Sequence, residues 1–112
     1  MERWDLLSID APDGTRDPAV VRSDDAGRAV VIRIGPGQQL GDHQVKEHAF
    51  VAVVEGTAEI EAADETVLAE PGMLFFFEPN ERHAVSSARG ARLLLLLAPW
   101  PGEGHYRGDE RQ

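Results

Sequence analysis

GQQLGDHQVKEHAFVAVVEG (residues 37–56) and GMLFFFEPNERH (residues 72–83) decide how this chain reads. In the first, polar residues and two histidines precede an apolar run, residues 49–54, which closes on Glu55-Gly56. In the second, Pro71-Gly72 opens an apolar run, Pro79-Asn80 breaks it, and His83 follows at once. Each stretch is a strand joined to a turn, with a histidine near the turn end. Two such strands in one barrel can bring His43 and His83 together in its interior, which is where function is to be sought.

The flanking sequence has the same texture. Residues 28–34 (RAVVIRI) are rich in β-branched side chains and bounded by Gly27 and Gly35. In a strand, Val30, Ile32 and Ile34 share one face and Ala29, Val31 and Arg33 the other. Residues 57–62 (TAEIEA) alternate, with Ala58, Ile60 and Ala62 inward and Thr57, Glu59 and Glu61 outward. Ala63-Asp64 turns the chain into residues 65–69. Further strands are expected at 73–77, 83–87 and 92–98, and a shorter one at 19–22. Residues 4–9 read as an edge strand or a strap. Residues 10–18 (DAPDGTRDP) read as turn, because Asp-Gly favours one and the two prolines lack backbone donors. Residues 38–48 are polar and partly extended, and 99–112 form an irregular tail. Seven to nine short strands without sustained helical periodicity predict an all-β antiparallel sandwich or barrel.

Three strands, 49–54, 73–77 and 92–98, are apolar on both faces. A barrel interior buries one face of each. The other face needs a cover, from the tail, the N-terminal strap or a partner subunit. We expect a two-fold homodimer with Trp100 in or near the interface.

The 112 residues make one domain, with an N-terminal strap over 1–27, a barrel core over about 28–98 and a C-terminal tail over 99–112. There is no cysteine, so disulfides and thiolate chemistry are excluded. The net charge of -9 argues against nucleic acid and anionic membrane as partners. No apolar run is long enough to span a bilayer, and the N-terminus shows no signal-peptide pattern. The expectation is a soluble cytoplasmic protein. No Ser-His-Asp order, phosphate loop or dinucleotide-binding glycine pattern is present.

Over about residues 28–98 the chain resembles the cupin superfamily, in particular its small single-domain members. The first cupin motif, G-x5-H-x-H-x3-E-x6-G, falls on Gly37, His43, Val45, Ala49 and Gly56. Both glycines and the first histidine match; Val45 and Ala49 replace the second histidine and the glutamate. The second motif, G-x5-P-x-G-x2-H-x3-N, falls on Gly72, Glu78, Asn80, His83 and Ser87, with Pro79 one place late. The resemblance implies an antiparallel double-stranded β-helix, or jelly-roll, barrel whose interior holds a small molecule or a metal. Small cupins also commonly form dimers.

A mononuclear metal centre needs three or four donors at about 2.0–2.2 Å. If the strand is regular back from position 49, His43 and Glu47 share the side of Ala49 and His48 faces away. A bulge between Lys46 and Ala49 reverses this and brings His48 in. Two ligand sets are therefore open: His43, Glu47 and His83, suited to iron or manganese, and His43, His48 and His83, suited to zinc, copper or nickel. In the metal-free alternative His43 and His83 hydrogen-bond each other, water or an organic ligand, and Glu47 and His48 lie at the rim. Phe75 and Phe77 share a face, as do Leu74 and Phe76; the inward pair packs the core or stacks on a ligand. Arg33 is an anion clamp inside the pocket or a surface residue paired with an acid. His105, in the tail, is a lesser candidate. Two functions follow: a cupin that binds an apolar or weakly acidic small molecule, or a metal-dependent enzyme of dioxygenase, isomerase or decarboxylase type.

Overall fold

The computed structural model describes residues 1–12 and 14–103, with the side chains of residues 14–17, 42 and 43 outside the description. His105 also lies outside the described residues. Among the described residues nine strands run in order: β1 (Gly14–Asp24), β2 (Gly27–Ile34), β3 (Gln39–His43), β4 (His48–Gly56), β5 (Ala58–Ala62), β6 (Glu65–Ala69), β7 (Leu74–Phe77), β8 (His83–Ser86) and β9 (Ala91–Ala98). They form a five-stranded sheet, β1-β2-β9-β4-β7, and a four-stranded sheet, β3-β8-β5-β6. All pairings are antiparallel. Among the described residues the fold is all-β, and no helix is long and apolar enough to cross a membrane.

The inward positions are those the alternation selects. Val30, Ile32 and Ile34 of β2, Ala49, Val51 and Val53 of β4, and Leu93 and Leu97 of β9 are buried with Ile60 and Val85 of the opposing sheet. At about 25 cal/mol per Å² of apolar surface, this shared layer is the main stabiliser of the barrel.

Two segments differ from expectation. Residues 14–18 belong to β1 rather than to a turn. Among the described residues β1 lies at the edge of its sheet and pairs with β2, and an edge strand tolerates a proline. Its register shifts between Gly14 and Ala19 and between Val20 and Arg22. Residues 39–43 form β3 despite their polarity, because β8 lies beside them.

The N-terminal segment is a strap and not an edge strand. Arg92 donates from Nη1 to the Ile9 carbonyl at 2.6 Å, tying the strap to the five-stranded sheet. Ala11 and the outward-facing Val31 are both buried, yet neither belongs to the core between the sheets. The strap thus supplies part of the second cover.

Candidate functional site

β3 and β8 bring the two motifs together. His43 and His83 are direct cross-strand partners in this pair. That register sets their Cα atoms about 4.5–5.5 Å apart. On its other side His83 pairs with Ala62 of β5. Two further backbone contacts fasten the motifs. Gly37 N–H donates to the Ser87 carbonyl at 2.8 Å, and Asn80 N–H donates to the Val45 carbonyl at 2.7 Å. Asn80, in the motif's glycine place, has φ of 68°, a left-handed conformation that asparagine tolerates. Ser87, in the asparagine place, donates from Oγ to the Thr57 carbonyl at 2.6 Å and accepts from Gly90 N–H at 2.8 Å. Gly56 carries the firmest requirement. Its φ is +77°, and a Cβ there would lie 2.2 Å from the Gly90 carbonyl oxygen.

His83 is 5 % exposed and shares the inward face of β8 with Val85. Its ring stacks on Phe77, with centroids 4.1 Å apart and planes 9° from parallel. Its Nδ1 lies 3.1 Å from the Glu81 carbonyl oxygen. A carbonyl can only accept, so Nδ1 carries the proton. In the neutral ring Nε2 then holds the lone pair that accepts a hydrogen bond or ligates a metal. Phe75 and Phe77 form the inward pair of β7, while Leu74 and Phe76 are exposed.

The remaining predicted site residues separate. Glu47 is wholly buried. Its Oε2 accepts the Gly102 N–H at 2.8 Å, so the chain after β9 folds over it. A Cβ at Gly102 would lie 2.6 Å from the Lys46 carbonyl oxygen, so a larger residue does not fit without a shift. Trp100 packs against the core with the Arg28 guanidinium 4.6 Å from its ring centroid.

His48 lies on the other face. It is exposed, stacks on Phe76 at 5.8 Å, and its Nε2 stands 3.8 Å from Glu78 Oε1. The reading that brings His48 to the barrel interior is thereby corrected. β4 keeps a regular register against β9 from His48 to Val53, so no bulge turns it inward. Arg33 is likewise corrected as a clamp inside the barrel. It stands on the exposed side of β2, because Ile32 and Ile34 take the interior. Among the described residues no three His, Asp or Glu side chains group to hold a metal.

Gly102 and the Glu81 carbonyl are contributors that sequence reasoning missed. Neither has a type-specific signal, since each acts through its backbone.

The Cupin domain family model matches residues 30–98 of this chain, more than half of it, and the chain belongs to that family. An RmlC-like cupin protein of Desulfovibrio desulfuricans is similar in structure, at 22% identity and a TM-score of 0.76, covering 88% of this chain and 97% of that one. An uncharacterized conserved protein with a double-stranded β-helix domain from Klebsiella pneumoniae has 17% identity and a TM-score of 0.77, over 91% of this chain and 93% of that one. A conserved protein of unknown function from Streptococcus pyogenes has 20% identity and a TM-score of 0.70, over 86% and 85%. These likenesses show the fold, the cupin double-stranded β-helix. No curated protein matches the chain.

Proposed function

We propose that this cupin holds an apolar or weakly acidic small molecule at the His83 end of the barrel, with His83 as its polar anchor. The observation that carries this reading is the setting of the imidazole. It is buried among Val85, Phe77 and Ala62, stacked on one aromatic face and fixed in tautomer by the Glu81 carbonyl. Phe75 and Phe77 supply apolar contact beside the imidazole.

The family's four-ligand metal centre does not fit the residues present. Val45 packs against the core and Ala49 is buried within it, and neither can ligate. The second reading, a metal-dependent enzyme using His43 and His83, is favoured by their cross-strand pairing and by the buried carboxylate of Glu47. One oxygen of that carboxylate is engaged by Gly102.

Elemental analysis of protein purified without a histidine tag separates the two. The binding reading expects less than about one-tenth of an equivalent of zinc, iron, manganese, nickel or copper. It also expects Val45→His with Ala49→Glu to create affinity for a divalent metal by restoring four donors. A stoichiometric metal in the natural chain, lost in both His43→Ala and His83→Ala, would establish the second reading instead.

We also infer a homodimer through the outer face of the five-stranded sheet. Phe50, Leu74, Phe76 and Leu96 are exposed there and adjacent across β7, β4 and β9. Monomers seldom leave such a patch open to water.

A further inference from the structure

Residues 99–102 leave the end of β9 and cross the His83 end of the barrel. The strand pairings locate them. β9 stops at Ala98, which pairs with His48 at the start of β4, and Leu97 pairs with Arg28 at the start of β2. Ala49, next in β4, pairs with Phe77, whose ring stacks on His83. Trp100 lies beside the β2 start, with the Arg28 guanidinium 4.6 Å from its ring centroid, and packs against the core. Two residues on, Gly102 is buried on the β4 side, its N–H donating to Glu47 Oε2 at 2.8 Å. The segment therefore spans the mouth of the barrel above the imidazole.

This segment is held differently from the strands. Strands are fixed by a ladder of backbone bonds. Pro99 and Pro101 have no N–H, so Trp100 and Gly102 carry the two backbone donors of the four residues. The Gly102 amide goes to a side chain, the carboxyl group of Glu47. The fit is close, since a Cβ at Gly102 would lie 2.6 Å from the Lys46 carbonyl oxygen and 3.1 Å from Glu47 Cγ. Beneath that end of the segment lies a polar group. When a cover over a polar group lifts, water replaces the lost donor, so opening costs less than baring the same area of hydrocarbon. Trp100 opposes opening through its apolar contact and the cation beside its ring. A segment held at two points opens locally while the barrel stays folded.

We propose that residues 99–102 are a lid on the His83 end of the barrel, latched at Glu47 by the Gly102 amide and sealed by Trp100, and that small molecules reach the interior when it lifts. Its part in ligand entry rests on the binding reading above. Its opening does not, and can be measured with no ligand present.

The test uses the full chain carrying Trp4→Phe, which leaves Trp100 as its one tryptophan. Acrylamide quenching reads the exposure of Trp100. Relaxation of the Ala49 methyl signal by 4-hydroxy-TEMPO, a neutral nitroxide, reads access to the interior, with the exposed methyl of Ala63 as reference. Gly102→Ala forces the latch apart, and should raise the quenching constant about threefold and the Ala49 relaxation about fivefold or more, as expected when a mostly closed segment becomes mostly open. Leu93→Ala, in the core towards the other end of β9, loosens the barrel without touching the lid and should move neither reading. Should Gly102→Ala fail to fold, Arg28→Gln takes its place, removing the cation beside Trp100, with a rise of about twofold expected in both readings. Unchanged readings in the variant overturn the lid. So does an equal rise in Leu93→Ala, or an Ala49 methyl already relaxed as strongly as Ala63 before any change at the latch. A chain that passes this test yet takes up no small molecule beside His83 keeps the lid and loses the binding reading.

Discussion

On the four-stranded sheet, Glu59 and Glu61 stand outward, alternating with the inward Ala58 and Ile60. On the five-stranded sheet the outward positions of β4, β7 and β9 include Phe50, Leu74, Phe76 and Leu96, which are 38%, 64%, 43% and 40% exposed. Both sheets obey the same two-residue alternation, and both fill the same interior. They differ in what their outer faces ask of the surroundings. The carboxylates of the four-stranded sheet are satisfied by water, and Leu68, across from Glu59, is the large apolar side chain exposed beside them. The apolar face joins Phe50 to Phe76 on one side and to Leu96 on the other, so its exposed side chains are neighbours. The strap is tied to this sheet at Arg92 of β9, next to β2. The contrast is the basis for the proposed dimer through the larger sheet.

The largest expected effect breaks the proposed dimer. Phe50→Glu with Leu96→Glu should raise the dimer dissociation constant about 100-fold or more, since central apolar anchors each carry upwards of about 2 kcal/mol of binding. Glu59→Lys with Glu61→Lys, on the other sheet, should leave it unchanged. Analytical ultracentrifugation at micromolar concentration reads both. A natural chain sedimenting as a monomer removes the basis of the contrast.

The next effect sharpens the division between inside and outside within one strand. Ile60→Ala should cost about 2–5 kcal/mol through lost burial and the cavity left behind. Its outward neighbour Glu59→Ala should stay within about 0.5 kcal/mol. Urea unfolding of the two variants measures the difference, and equal losses would refute the assignment of faces on β5.

The smallest effect lies at the edge of the five-stranded sheet. Asp24 Oδ1 accepts the Ala26 N–H at 2.9 Å in the β1–β2 turn, and this bond, helped by the charge of Arg22, holds the carboxyl below its ordinary value of 3.8. A depressed folded-state value means stability that is present above the ordinary value and lost as pH falls through the folded one. The natural chain should therefore be more stable than Asp24→Asn at neutral pH, and the gap should close as the solution is acidified below about pH 4. A gap that stays constant across that range would show that the turn does not depend on the ionised carboxylate.

Much of the fold was legible because burial follows residue alternation. RAVVIRI, AFVAVV and TAEIEA each declared their inward face, and Phe75 with Phe77 followed from the same rule. β1 and β3 were harder because their pairing is tertiary. Pro18 and Asp13-Gly14 argue locally for a turn, while an edge place tolerates the proline. At the site, the adjacency of His43 and His83 was readable from the motif spacing. The choice between Glu47 and His48 was open, since it turns on one residue of register that side-chain types do not encode. The burial of Glu47 was hidden more deeply. Its donor is a glycine amide 55 residues further along, in a segment that reads as loop.

The place of β9 has a consequence for how the chain folds. It is the ninth strand in sequence, yet it lies between β2 and β4 at the middle of the larger sheet. Until Ala91–Ala98 arrives, β2 and β4 have no common neighbour and each presents a bare row of N–H and C=O groups beside apolar side chains. Such edges recruit other chains as readily as their own missing strand. Closing the barrel therefore waits on contacts made across most of the sequence, a topology that folds on the order of milliseconds to seconds. A nascent or refolding chain that lacks this last hydrophobic strand should be prone to aggregate, and the five leucines that close the sheet are then its protection as much as its core.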